Sequence, residues 1–203
     1  MAKDNFKKAA KPQSGELIEA CKEHDIVKVK SLLARGADIN EKDHGDNTAL
    51  IWASYKGHTG IAQILIKAGA KLDEKDNTGN TALILASGWG RPAIVQILIK
   101  AGAKLDEKDE DGDTALIRAV IGRYTDIAQM LIDAGAKLDK KNGEGKTALA
   151  YAQVRQYDDI VTIFEQAVKD RAEQAEMRRQ KIMQQIADPS LQRPLKVKPI
   201  VKF

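Results

Sequence analysis

The stretch TALILA at residues 81–86 decides the fold, because the chain repeats it three more times at a fixed interval. The related phrases are TALIWA at 48–53, TALIRA at 114–119 and TALAYA at 147–152, and the threonines that open them stand 33 residues apart. A period of this size is typical of proteins built from stacked repeats. Each unit of such a protein buries its apolar face on its neighbours, so we expect function on the exposed faces.

One unit, residues 76–108, shows the elements that the pattern predicts. Thr81 is placed to cap a first helix, because its hydroxyl can accept from the unpaired amides of the first turn. Two runs of apolar residues at helical spacing follow, separated around 88–92. Pro92 suits the first turn of the second helix, and Gly102 suits its end. The unit therefore reads as turn, short helix, short helix and glycine stop.

A second recurring segment closes each unit. It reads GADIN at 36–40 and GAKLD at 69–73, 102–106 and 135–139. Together with the period and the threonine phrase, this segment resembles the ankyrin repeat family. The resemblance implies an all-α ankyrin-repeat solenoid of helix-turn-helix units, joined by β-turn or hairpin loops and followed by a C-terminal helical extension.

The resemblance covers about 15–168 and predicts three regions. A basic N-terminal segment, 1–14, precedes the repeats, and a basic C-terminal helix with an extended tail, 169–203, follows them. The predicted repeats are five, at about 15–42, 43–75, 76–108, 109–141 and 142–168.

Two departures from the family pattern affect the expected packing. The family's histidine in the phrase is isoleucine at 51, 84 and 117, which should replace polar bonding between repeats by apolar packing. The turn glycine comes one place early at Gly45, with Asp46 at the expected site, and Gly122 likewise precedes Arg123. We expect local irregularities at these two turns and no change of fold.

The C-terminal region carries its own pattern. An apolar stripe from Ile160 predicts that the last helix continues to about Ala187, where Asp188–Pro189 should end it. Beyond it, apolar and basic residues alternate between prolines, which favours an extended strand. One interpretation is a frayed helix and a disordered tail. The other is that the apolar tail residues dock on the repeats or on a partner; these are Leu195, Val197, Ile200, Val201 and Phe203.

Composition limits the classes of function. The 203 residues are 43% hydrophobic and only 4% aromatic, so the core is aliphatic. The single Cys21 excludes an internal disulfide framework and fits a reducing compartment. No secretory signal pattern is visible, and no stretch approaches the ~18 apolar residues of a membrane helix. We therefore expect a cytoplasmic, monomeric protein without membrane insertion.

Net charge is distributed unevenly. The chain totals +4, but 169–203 has nine basic and four acidic residues, 1–14 has four and one, and 15–168 has 20 and 24. An acidic body between basic ends makes nucleic acid an unlikely partner, since the tail offers only Phe203 for stacking bases.

The sequence supports neither catalysis nor a bound metal or cofactor. Cys21 and His24 could share a helix face, but two ligands do not make a zinc site. Asp109, Asp111 and Asp113 alternate like the start of a calcium loop, but Thr114 and Val120 stand where that loop needs glycine and glutamate. We predict no catalytic residue, no metal and no cofactor.

The ankyrin resemblance implies a concave groove lined by hairpin tips and first-helix faces, where family members bind proteins. Residues that vary between the units at these positions are the candidate partner-binding residues: Trp52, Tyr55, Lys56, Trp89, Asp111, Asp113, Arg118, Tyr151 and Arg155. Trp, Tyr and Arg are the types that dominate interface energies. For Trp52 and Tyr151 the alternative is that they only fill space between units.

The leading hypothesis is a non-catalytic scaffold that binds an unidentified partner protein through this groove. Two alternatives place function in the basic C-terminal tail. The tail could bind nucleic acid or an anionic surface, or it could direct export of a bacterial effector into a host cell.

Overall fold

A computed structural model describes residues 11–187 as helices joined by tight turns. These residues contain ten helices and one isolated β-bridge, between Lys141 and Thr147. The helices are α1 (Glu16–Lys22), α2 (Ile26–Ala34), α3 (Ala49–Lys56), α4 (Thr59–Lys67), α5 (Ala82–Gly88), α6 (Pro92–Ala101), α7 (Ala115–Ile121), α8 (Thr125–Asp133), α9 (Ala148–Val154) and α10 (Asp158–Ala187). We call α1–α2 pair 1, α3–α4 pair 2, α5–α6 pair 3, α7–α8 pair 4, and α9 with the start of α10 pair 5.

The repeated threonines start the first helices of pairs 2 to 5, as the sequence predicts. Each threonine Oγ1 accepts from the backbone N–H three residues later, at 3.3, 3.3, 3.3 and 3.2 Å for Thr48, Thr81, Thr114 and Thr147. Such a cap typically contributes about 1 kcal/mol. Pro92 begins α6 and Gly102 ends it in the left-handed conformation, which confirms both predictions.

The helices form two layers within the repeat region. The first helices α1, α3, α5, α7 and α9 pack in sequence against one another, and α2, α4, α6 and α8 do the same. The core between them is aliphatic. Ile51, Ile84 and Ile117 are at most 2% exposed, so the isoleucines that replace the family's histidine pack as apolar residues, as expected. Burying such a side chain contributes about 2 kcal/mol.

The two expected irregularities are absent from the backbone. Asp46 has φ +58°, and its N–H donates to Asp43 O at 2.9 Å. Gly79 makes the same bond to Asp76 O with φ +77°. Arg123 likewise takes φ +57° where Gly57 has +84°. The expectation of local distortion is wrong, because the neighbouring hydrogen bonds impose the left-handed conformation even on a residue with a Cβ, at a cost of about 1 kcal/mol.

Polar contacts at 33-residue spacing join successive pairs. Lys42 Nζ donates to Lys75 O at 3.0 Å, Lys75 Nζ to Lys108 O at 2.9 Å, and Lys108 Nζ to Lys141 O at 2.6 Å. The hairpin tips, which are the turns that precede the first helices, are also bonded to one another through the backbone: Asn77 N donates to Gly45 O at 2.9 Å. Identical contacts in each unit fix the spacing of the tips, which positions the surface described below.

The chain divides into two compact units after Phe164. The first holds the helix pairs. In the second, α10 continues from Glu165 without a break to Ala187, as the apolar stripe predicts. Val168, Ile182 and Ile186 on this helix are exposed. The predicted helix stop at Asp188–Pro189, the extended tail and the docking of its apolar residues lie outside the described residues, as does most of the basic segment 1–14.

Candidate functional site

In pairs 2, 4 and 5, a residue within the threonine phrase ties the hairpin tip to the first helix that follows it. In pair 2, the indole Nε1 of Trp52 donates to Asp43 Oδ2 at 2.7 Å. In pair 5, Asn142 Nδ2 donates to the hydroxyl oxygen of Tyr151 at 2.9 Å. Trp52 and Tyr151 therefore do more than fill space between units, because each holds the hairpin tip nine residues earlier.

The contact in pair 2 alters the acidity of the tip. Burial opposes ionisation of Asp43, but hydrogen bonds from the Trp52 indole, the Asn47 side chain and the backbone N–H groups of Asn47 and Gly45 outweigh it. The pKa of Asp43 falls to about 2 as a result. Its carboxylate is thus held ionised and fixed at neutral pH.

In pair 4 the same position is Arg118, which binds three carboxylates. Its Nη2 lies 2.6 Å from Asp109 Oδ2 and 2.8 Å from Asp111 Oδ2, and its Nε lies 3.1 Å from Asp113 Oδ2. The side chains of Asp109 and Asp113 are 1% and 5% exposed. Burial raises the pKa of Asp113. Burial disfavours the charged form of Arg118, but its bond to Asp109 outweighs this and raises the Arg118 pKa.

Among residues 11–187, Asp109, Asp111 and Asp113 form the group of acidic side chains that lie close enough together to hold a cation. One carboxylate oxygen of each lies within 4.8 Å of the others. The guanidinium of Arg118 already contacts all three, so the positive charge that their clustering requires is supplied by the chain itself. The three aspartates therefore join the hairpin tip of pair 4 to helix α7 through their ion pairs with Arg118.

Aromatic rings form a continuous cluster across pairs 2 and 3. Trp52 and Tyr55 meet edge to face with centroids 5.9 Å apart, and Tyr55 meets Trp89 in the same way at 4.9 Å. Lys22 of pair 1 extends the row, with its Nζ 4.7 Å from the centre of the Trp52 ring. Trp89 is 50% exposed, so its ring offers an apolar surface to solvent. We call Lys22, Trp52, Tyr55 and Trp89 the aromatic row.

A shallow apolar groove lies beside the aromatic row, between pairs 3 and 4. Its volume is ≈ 410 Å³. The lining of the apolar groove is Tyr55, Asn80, Ile84, Leu85, Gly88, Trp89, Arg118, Ile121 and Gly122.

A second groove, of ≈ 640 Å³, lies between pairs 4 and 5 and is mainly polar. Ile121 lines both grooves, so they adjoin. The remaining lining residues are Glu110, Asp111, Asp113, Asn142, Gly143, Glu144, Lys146, Tyr151 and Arg155. We call the surface formed by the aromatic row and these two grooves the groove face.

The structure places most of the predicted partner-binding residues on the groove face. Lys56 and Arg155 are exposed, and Asp111 is 76% exposed at its side chain. Lys56 Nζ lies 5.6 Å from the centre of the Tyr55 ring, and Arg155 Nη1 donates to Ile121 O at 3.2 Å. Lys56 is the one predicted residue that belongs neither to the aromatic row nor to the lining of the two grooves. Asp113 lines the second groove, but it is buried, and its carboxylate contacts Arg118 and accepts from Asn142.

Sequence reasoning missed Lys22, although the 33-residue period could have found it. Lys22 stands 33 residues before Tyr55 and therefore occupies the same repeat position. The first unit lacks the threonine phrase, which hid this correspondence.

A family model described as ankyrin repeats (3 copies) matches residues 17–109 and 101–170. The chain therefore belongs to the ankyrin repeat family, whose members are generally protein–protein interaction modules and typically non-enzymatic. No curated protein matches the chain. Within residues 11–187, no helix combines the length and the apolar character needed to cross a membrane.

Proposed function

We propose that this protein is a non-catalytic scaffold that binds a partner protein through the groove face. The observation that carries the proposal is the aromatic row, in which Trp89 is half-exposed although its ring packs edge to face against Tyr55. A rigid aromatic surface loses little conformational entropy on binding and can bury a large apolar area.

The residues proposed to contact the partner differ in their roles. Tyr55 and Trp89 serve as apolar anchors, while Lys56, Asp111 and Arg155 form the charged surroundings. Three further predicted residues, Trp52, Arg118 and Tyr151, hold the hairpin tips and so fix the shape of the surface. Their substitution would affect binding mainly through the position of the tips.

The test is capture of the partner from an extract of the organism that makes the protein. We expect Trp89→Ala combined with Tyr55→Ala to abolish capture and to leave the circular dichroism spectrum unchanged. Val27→Ala is the matched control, because Val27 is 79% exposed on α2, outside the groove face. Undiminished capture by the double variant would exclude the groove face as the binding surface.

We propose further that the protein acts as a monomer in the cytoplasm. The acidic balance of 15–168 supports a protein partner over nucleic acid on the groove face. The alternatives of a bacterial effector exported to a host cell, and of binding to an anionic surface, depend on the basic tail. Residues 188–203 of that tail lie outside the described residues.

A further inference from the structure

The two adjoining grooves differ in chemistry, which restricts what can occupy both. The groove between pairs 3 and 4 is bounded by Tyr55, Trp89, Leu85 and Ile121. The groove between pairs 4 and 5 is bounded by acidic hairpin tips, with Glu110 and Asp111 exposed, and we call it the acidic groove. An occupant of both needs an apolar group for the first and a positive charge for the second.

The apolar groove lies where one repeat position lacks a side chain. Gly88 occupies the position of Tyr55 in pair 2 and Ile121 in pair 4. Gly88 lines the groove, so the space beside it corresponds to a side chain that pairs 2 and 4 carry. Gly122 also lines the groove, but a Cβ at that position would collide with the Tyr124 ring, so no vacant space corresponds to it. The opening is thus specific to the junction of pairs 3 and 4.

The acidic groove keeps a negative balance after its internal ion pairs are counted. The groove and the Arg118 cluster contain five carboxylates, on Asp109, Glu110, Asp111, Asp113 and Glu144. They contain three cations, on Arg118, Lys146 and Arg155. Five negative and three positive groups leave a formal charge of −2, which attracts a basic partner.

We propose that the groove face binds a protein segment that carries an apolar side chain followed by lysine or arginine. The apolar side chain enters the groove beside Gly88, and the basic residue lies against Glu110 and Asp111. This inference rests on the proposed function and adds the chemistry of the partner to it.

The experiment is selection of binding peptides from a library of random dodecapeptides displayed on phage, with the full chain as bait. We expect the selected peptides to combine an apolar residue with an excess of lysine and arginine. Their Kd should rise with salt concentration, because the contact with the acidic groove is screened. Failure to select any binding peptide, or selection of peptides with no basic excess, would overturn the proposal.

Two variants locate the binding of one selected peptide. Gly88→Ile fills the apolar groove with the residue that pair 4 carries, and the added Cβ would lie 3.4 Å from Arg118 Cβ, an ordinary contact. Glu110→Lys reverses a charge at the rim of the acidic groove. We expect each to raise the Kd about tenfold or more, equivalent to about 1.4 kcal/mol. Glu165→Lys, the same charge reversal at an exposed site on α10, should leave the Kd of the peptide unchanged.

Urea unfolding of each variant checks that the fold is kept. An unchanged Kd for folded Gly88→Ile and Glu110→Lys would overturn the proposal. If the Trp89 and Tyr55 double variant still loses its partner in that case, the proposed function stands and only the assigned chemistry fails.

Discussion

Pairs 2 and 4 use one repeat position for the same internal contact but leave different surfaces beside it. In pair 2, Trp52 binds the tip through a single indole N–H and extends its ring toward Tyr55. In pair 4, Arg118 binds the tip through a guanidinium that three carboxylates surround. The contact with an aspartate of the tip is constant, and the chemistry of the side chain that makes it decides whether the exposed neighbourhood is aromatic or acidic.

The largest expected effect comes from removing the contact in pair 4. Arg118→Leu leaves the buried carboxylates of Asp109 and Asp113 without their cation, so the free energy of unfolding should fall by about 3 kcal/mol. Urea denaturation at pH 7 measures it. Arg155→Leu is the control, since Arg155 is exposed and should change stability by less than about 0.5 kcal/mol. Equal losses in the two variants would contradict the role of Arg118.

Removing the equivalent contact in pair 2 should lower the free energy of unfolding by less than removing the contact in pair 4. Trp52→Phe removes the indole N–H that donates to the Asp43 carboxylate and should lower the free energy of unfolding by about 1.5 kcal/mol. The folded-state pKa of Asp43, about 2, lies below its ordinary value of 3.8. Its stabilising contribution is therefore present above about pH 4 and is lost as the pH falls toward 2.

Unfolding measured between pH 2 and 5 tests this dependence. In Trp52→Phe the pKa of Asp43 should rise toward its ordinary value. The free energy of unfolding of this variant should therefore fall less between pH 5 and 2 than that of the unaltered protein. A variant with the acid dependence of the unaltered protein would show that the indole does not control Asp43.

A smaller effect is expected at a position where pairs 2 and 4 differ in the core. Ser54 in pair 2 corresponds to Val120 in pair 4, and both are buried. Within the described residues the Ser54 hydroxyl has no hydrogen-bond partner. Ser54→Ala should therefore raise the free energy of unfolding by about 1 kcal/mol. Ser31→Ala, at an exposed position, is the control; a loss of stability in Ser54→Ala would contradict the assignment.

The smallest expected effect concerns His58, which stacks on His24 with ring centroids 4.2 Å apart. Burial, followed by the charge of His24, lowers the pKa of His58 below 6.5. The neutral form is favoured in the folded state, so stability is complete above pH 6.5 and declines as the pH falls below it. His58→Gln should flatten the pH dependence of unfolding between pH 5 and 7. If the free energy of unfolding of His58→Gln depends on pH as steeply as that of the unaltered protein, His58 is not the group responsible.

The period of the threonine phrase was sufficient to predict the helices and their caps. It could not predict that Asp46 and Arg123 adopt the glycine conformation, because that depends on hydrogen bonds formed by neighbouring residues. Nor could it predict the burial of Asp113, which follows from its contacts with Arg118 and with Asn142 of the next unit. The 33-residue spacing predicts contacts that recur in every repeat. It does not predict contacts of side chains that differ from one repeat to the next.

The central claim is that the partner lies on the groove face beside Trp89, and site-specific photo-crosslinking tests it most directly. A photoreactive phenylalanine analogue replaces Trp89 in one variant and Val27, exposed on α2, in another. Each is irradiated in an extract of the organism that makes the protein. We predict a covalent adduct of the same partner with the variant altered at position 89 and none at position 27. An adduct at position 27 alone, or equal adducts at both, would contradict the account.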